Sequence, residues 1–242
     1  MLILGIDTST DILALSIMED QKLLGEYNLS LKRQHSEKLI PLIKEILALL
    51  NINPEDLDGV AVGIGPGSFT GVRIAITAAK MMGRINSIPV KGISTLEIMA
   101  AGVRAEYILP LIDARRNRIY YSLYRSNIKD AGKNKKINYS VENLFDLAAA
   151  ELSDLPEIIK EYKEKEIMVV GSRVEAAADI LKKHKFNICS AETENNFPRA
   201  AVIARLGYNY ISKGKSDNIY ELKPLYLKKA QAEINWQKKY QN

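Results

Sequence analysis

Short apolar runs separated by polar turns dominate the first hundred residues. Residues 2–6 and 12–18 are apolar runs joined by Asp7-Thr8-Ser9-Thr10-Asp11, and 23–29 follows with looser alternation after a turn at Asp20 to Lys22. Three short strands in succession predict an antiparallel meander. Leu39, Leu42, Ile43, Ile46, Leu47 and Leu50 then recur at helical spacing. Pro41 falls in an early turn of that helix or kinks it, and Asn51-Ile52-Asn53-Pro54 stops it. A strand at 58–64, a helix at 69–84, a strand at 88–92 and a short helix from Ser94 complete a β-β-β-α-β-α-β-α order.

A second half starts near Arg104. Strands at Tyr107 to Asp113 and Arg118 to Tyr124 flank the polar Ala114-Arg115-Arg116-Asn117. The lysine-rich stretch Ser126 to Asn138 reads as an exposed loop. Helical patterns are expected at 141–151 and 155–165, then a strand at Ile167 to Val170, a helix from Val174 and another at 198–213. The expected division is an N-terminal lobe over 1–103, a second lobe over 104–222 whose last helix packs back on the first, and a loosely held basic tail over 223–242. No repeat of fixed period occurs.

A chain of 242 residues, 47% apolar and 26% charged, has the composition of a globular protein with a sizeable core. The single cysteine, Cys189, excludes an internal disulfide and fits a reducing compartment. The start Met1-Leu2-Ile3-Leu4 carries no basic residues ahead of its apolar run, and no run approaches the length of a membrane span. A cytoplasmic location is expected. The net charge of +5 permits contact with nucleic acid without demanding it. Lysines gather at Lys160, Lys163 and Lys165, at Lys182, Lys183 and Lys185, and at Lys223, Lys228, Lys229, Lys238 and Lys239. The last group is interleaved with Tyr226, Trp236 and Tyr240, a mixture that suits RNA as well as a solvated end.

The run Gly63-Ile64-Gly65-Pro66-Gly67-Ser68-Phe69-Thr70-Gly71-Val72-Arg73 is the most informative stretch. It joins an apolar strand to an apolar helix, and such a junction bares backbone N–H groups that can seat an anion. Glycine there permits positive φ and close approach of another group. Gly65, Gly67, Ser68, Thr70, Gly71 and Arg73, with Asp7, Thr8 and Ser9, form the candidate anion site. The competing reading is a tight strand-to-helix turn.

Ile6-Asp7-Thr8-Ser9, Arg33-Gln34-His35-Ser36-Glu37, the glycine-rich block, Ile112-Asp113-Ala114-Arg115 and Pro224-Leu225-Tyr226-Leu227-Lys228 together resemble the bacterial TsaB (YeaZ) family of tRNA threonylcarbamoyladenosine biosynthesis. The match is clear over 1–125 and again in the tail. It implies the two-lobed α/β architecture of actin, Hsp70 and sugar kinases (the ASKHA fold). It further implies a non-catalytic partner that dimerises with and activates TsaD, joined by the ATPase TsaE. That complex transfers threonylcarbamoyl to an adenosine beside the anticodon of tRNA.

The residues bear on catalysis directly. A kinase of this architecture needs glycine-rich turns in both lobes so that phosphate oxygens reach backbone N–H groups. The first turn instead reads Asp7-Thr8-Ser9-Thr10, and its counterpart reads Asp113-Ala114-Arg115-Arg116; Gly171-Ser172-Arg173 holds one glycine where a pair is usual. No nucleotide cofactor is therefore expected. The catalytic relatives place two histidines four apart on one helix face to hold a metal. Here Leu39 stands four residues after His35, and His184 lies among lysines, so no metal is expected. His35 reads as a surface or helix-start residue. Cys189 lacks a cationic neighbour, and no catalytic residue is assigned. A stand-alone ATP-dependent kinase or a glycoprotease-like hydrolase is the alternative reading.

Two helices look suited to a partner. The first spreads leucines and isoleucines over half its circumference, wider than the stripe one buried face requires. The second repeats Gly71, Ala75, Ala78 and Ala79, a smooth strip that lets another helix come close. Burial within the lobe would use the same residues. Leu39, Leu42, Ile43, Ile46, Gly71, Ala75, Ala78, Ala79 and Met82 are the candidate interface.

Overall fold

The computed structural model describes residues 1–32, 34–126 and 140–227; Arg33, most of the expected lysine-rich loop and the tail lysines from Lys228 onward lie outside the described residues. In chain order the first half comprises β1 (Leu2–Asp7), β2 (Ile12–Glu19), β3 (Lys22–Ser30), α1 (His35–Leu49), β4 (Gly59–Gly63), α2 (Phe69–Ile85), β5 (Val90–Ile93) and α3 (Thr95–Ala101). The second comprises β6 (Tyr107–Asp113), β7 (Arg118–Tyr121), β8 (Tyr124–Ser126), β9 (Val141–Asn143), β10 (Ala148–Glu151), α4 (Leu155–Ile158), β11 (Glu166–Gly171), α5 (Val174–Lys183), β12 (Asn187–Ser190) and α6 (Ala200–Ile211).

Two sheets share one plan. The first runs β3-β2-β1-β4-β5 and the second β10-β7-β6-β11-β12, with β8 on β6 and β9 on β8. β1 and β6 are equivalent: each pairs antiparallel with the strand that follows it and parallel with a later one. Parallel pairing needs crossover helices, and these cover the faces.

β1 is apolar on both sides because both are covered. Leu4 and Ile6 join Leu39, Ile43, Ile46, Val72, Ala75 and Ala79 of α1 and α2 in one core. Ile3 joins Val202, Ile203 and Leu206 of α6 in another. Gly5 lets α6 come close, since a Cβ there would stand 2.8 Å from the Ala204 nitrogen. Ser16 donates its hydroxyl to Ala200 O at 2.7 Å, and Arg199 pairs with Glu26 at 2.7 Å. The last helix thus lies on the first sheet. α3 contributes Ile98 and Ala101 to that core, and Leu96, Met99 and Ala100 to a third between it and the second sheet.

Four expectations are corrected. The pattern over 141–151 is not helical; Val141–Asn143 pairs with β8 and the alanine run Ala148–Glu151 pairs with β7. Alanine favours helix intrinsically, but a vacant sheet edge overrides a preference of tenths of a kcal/mol per residue. The helix expected over 155–165 shrinks to Leu155–Ile158 followed by a single 3₁₀ turn. The strand read through Tyr124 breaks after Tyr121, and β12 had no distinguishing pattern in four residues. Residues 223–227 are docked rather than loose, as described below.

Candidate functional site

The turn after β1 and the block after β4 close on each other. Asp7, Thr8 and Ser9 are fully buried. A Cβ on Gly63 would overlap the Asp7 carboxylate, one on Gly67 the Ser9 carbonyl, and one on Gly71 the Thr8 carbonyl. Thr8 Oγ1 donates to Gly71 O at 2.6 Å and Ser68 N donates to Ser9 O at 2.7 Å. At the start of α2, Ser68 caps: its hydroxyl accepts from Gly71 N at 3.2 Å, and its carbonyl from Val72 N at 2.9 Å. Gly65 alone in the block needs positive φ, at +91°. Three glycines four apart are therefore taken up by packing, each facing one residue of the first turn. The turn reading of this stretch accounts for Asp7, Thr8, Ser9, Gly65, Gly67 and Gly71, whereas Ser68, Thr70 and Arg73 stay exposed.

Asp7 Oδ1 accepts from Ser9 N and Ser9 Oγ, both at 2.7 Å, and Oδ2 accepts from Thr95 Oγ1 at 3.1 Å. Burial holds its carboxyl above the usual carboxylate range; the hydrogen bonds from Ser9 and Thr95 and the nearby His35 oppose that shift. His35 is buried at the first position of α1, so of the two readings the helix-start one holds and the surface one is corrected. It begins α1 with Nε2 2.9 Å from Thr10 O, and because a carbonyl only accepts, Nε2 carries the hydrogen. The counterpart Asp113 is exposed and caps its own turn, accepting from Arg115 N at 3.0 Å while Arg115, Arg116 and Asn117 all take positive φ. Cys189 is half-buried, and burial pushes its thiol up. Among the described residues no three His, Cys, Asp or Glu side chains converge to hold a metal, and no helix is long and apolar enough to cross a membrane.

The expected interface residues divide sharply. Leu39, Ile43, Ile46, Gly71, Ala75, Ala78 and Ala79 are buried in the lobe, and Leu42 and Met82 are half-buried. The smooth strip of α2 faces the sheet, so that part of the expectation is corrected: small residues let the helix approach its own strands. The apolar side chains that α1 and α2 leave in water are others. Ile40 and Leu49 on α1, and Met81 and Ile85 on α2, are exposed, Leu49 to 68% and Ile85 to 75%. The apolar arc read from the sequence on α1 is wider than the face it buries, and the excess leaves Ile40 and Leu49 in water.

The segment after α6 runs as a strap. Asp217 N donates to Val90 O at 2.8 Å, while the Asp217 carboxylate accepts from Gly92 N at 2.7 Å and pairs with Lys91 Nζ at 2.8 Å. Leu225 N donates to Ile64 O at 2.8 Å. Tyr226 then stacks on Phe69 with centroids 5.3 Å apart, and Arg73 Nε donates to its hydroxyl at 2.8 Å. Nothing local in the sequence links residues so far apart.

Two sheets of matched topology, each with a short polar turn after its central strand β1 or β6, define the two-lobed actin-like fold. The ROK hexokinase of Thermus thermophilus shares it at a TM-score of 0.52, with 12% identity over 88% of this chain and all of that one. YeaZ of Pseudomonas aeruginosa superposes at 0.77, with 20% identity over 93% of this chain and 99% of its own. Residues 22–236 match the family model described as TsaD: tRNA N6-adenosine threonylcarbamoyltransferase. The tRNA threonylcarbamoyladenosine biosynthesis protein TsaB of Bacillus subtilis is 32% identical over 98% of both chains. The chain belongs to the TsaB (YeaZ) family and has a role in threonylcarbamoyladenosine biosynthesis.

Proposed function

We propose that the chain is a non-catalytic partner that dimerises with TsaD and activates it, in a cytoplasmic complex that TsaE joins and that modifies tRNA beside the anticodon. The observation that carries this reading is the pair of adjacent helices, α1 and α2, leaving Leu49, Met81 and Ile85 in water. Large side chains of this kind on neighbouring helices are what a helical partner covers, and their burial drives association. In isolation the same face serves a second copy of the chain, by a two-fold self-complementary contact. The non-catalytic part is supported by the first turn, whose polar atoms hydrogen-bond one another and the glycine block.

The test is reconstitution. TsaD and TsaE, with tRNA and the threonylcarbamoyl donor, are assayed with and without this chain. Transfer that rises on its addition, together with a complex heavier than either protein, supports the proposal. Equal transfer without the chain, or transfer by the chain alone, overturns it.

A further inference from the structure

α2 shows water two strips of different chemistry. At about 100° per residue, Phe69, Lys80, Arg73 and Arg84 fall within about 60° of one another, and the exposed Met81 and Ile85 centre roughly a quarter-turn away. The second strip is the apolar face assigned above to a protein partner. The first carries all the charge of the helix, and that charge is wholly positive: Arg73, Lys80 and Arg84, with no Asp or Glu in the helix. It borders the 217–226 strap, to which Lys80 Nζ donates at Leu222 O, 3.0 Å away.

Each end of this seam sets an exposed aromatic ring against an arginine. At one end Phe69 and Tyr226, 44% and 48% exposed, stack with the Arg73 guanidinium 3.7 Å from the Phe69 centroid. Arg73 is only 5.7 Å from the Tyr226 centroid, too near for the two to flank opposite faces of Phe69. At the other end Tyr220, 72% exposed, has the Arg84 guanidinium 5.9 Å from its centroid. The two arginines stand about 16 Å apart along the helix. Within the strap, Asp217 pairs with Lys91, and its one other acid, Glu221, is matched by Lys223 in charge.

We propose that this seam between α2 and the strap is a contact surface for single-stranded RNA, its rings stacking unpaired bases and its cations lying along the backbone. Exposed rings interleaved with cations over a stretch of this length suit a flexible polyanion with π-faces. A protein partner is served by the neighbouring apolar strip instead. The inference rests on the tRNA-modifying role proposed above for the identity of the RNA, not for the surface itself.

The experiment measures anisotropy of a labelled single-stranded RNA and of a duplex of equal length, against the full chain alone and mixed with TsaD. The variants are Tyr220→Ala and Arg84→Gln, which replace no residue of the Phe69–Tyr226 stack or of the apolar strip. Single strand is expected to bind better than duplex, and Tyr220→Ala to weaken binding by about fivefold or more. Arg84→Gln is expected to lower the slope of log affinity against log salt by about one. RNA binding that both variants leave unchanged, or no RNA binding by the wild type, overturns the proposal. Sedimentation of the same samples separates the two readings. An intact heterodimer with variant-independent RNA binding removes only the RNA surface, and absence of the heterodimer removes the proposed function. Variants that lose the heterodimer but keep RNA binding make the seam a protein contact and also overturn it.

Discussion

Thr8 donates its hydroxyl to the carbonyl oxygen of Gly71, 2.6 Å away, and the Thr8 carbonyl in turn lies where a side chain on residue 71 would have to stand. The relationship joins the turn after β1 to the start of α2, which follows the neighbouring strand β4. It explains why a block that reads like a phosphate-binding loop is folded inward: its small residues receive another turn of the same chain. The N–H groups of Ser68 and Gly71 are held by Ser9 O and Ser68 Oγ.

Gly71→Ala should destabilise the protein by about 2–3 kcal/mol, the cost of forcing an atom into an already packed space. Gly25→Ala provides the comparison, because a Cβ there first meets the Ile46 side chain at 3.4 Å, ordinary contact. Denaturant unfolding of both should show the first far below wild type and the second within about 1 kcal/mol of it.

Burial holds the Asp7 carboxyl above its ordinary range, so the folded chain binds that proton more tightly than the unfolded chain does. The group therefore favours folding most at acid pH, and its contribution is lost as pH rises from the ordinary carboxylate value through the raised one. Asp7→Asn keeps an acceptor for Ser9 and removes the titration. The difference in stability between wild type and variant should move in the variant's favour over that window and then level off. A difference independent of pH would contradict the assignment.

Asp217 fastens the strap through Lys91 and the Gly92 N–H. Asp217→Ala removes a charge-assisted pair at a half-buried position, a loss of about 1–3 kcal/mol. Limited proteolysis should cut the variant between residues 217 and 226 well before the wild type. Equal cutting would mean that Leu225, Tyr226 and the apolar contacts of Ile219 and Leu222 hold the strap unaided.

β1, β2 and β4 were legible as continuous apolar runs because both of their faces are covered, and α1 and α2 by helical spacing because each buries one face. The alanine run at 148–151 carries no such record; its strand conformation comes from the partner β7. The glycine block was legible as a special junction, but not what fills it, since Asp7 and Thr95 meet the block from far along the chain. Which apolar side chains of α1 are buried was not legible for a related reason. A helical wheel shows how wide the apolar arc is, and only the sheet beneath it shows that Leu39, Ile43 and Ile46 lie inside while Leu49 stays out.

Replacing Leu49 and Ile85 together by Asp changes two exposed positions and should leave the melting temperature near that of wild type, since surface changes of this kind usually fall within about 0.5 kcal/mol. The decisive measurement is the sedimentation of this double variant with TsaD, alongside threonylcarbamoyl transfer to tRNA. Wild type should sediment with TsaD as one complex and support transfer, whereas the folded variant should sediment apart from TsaD and support none. A double variant that still assembles with TsaD and sustains transfer at the wild-type rate would contradict the account.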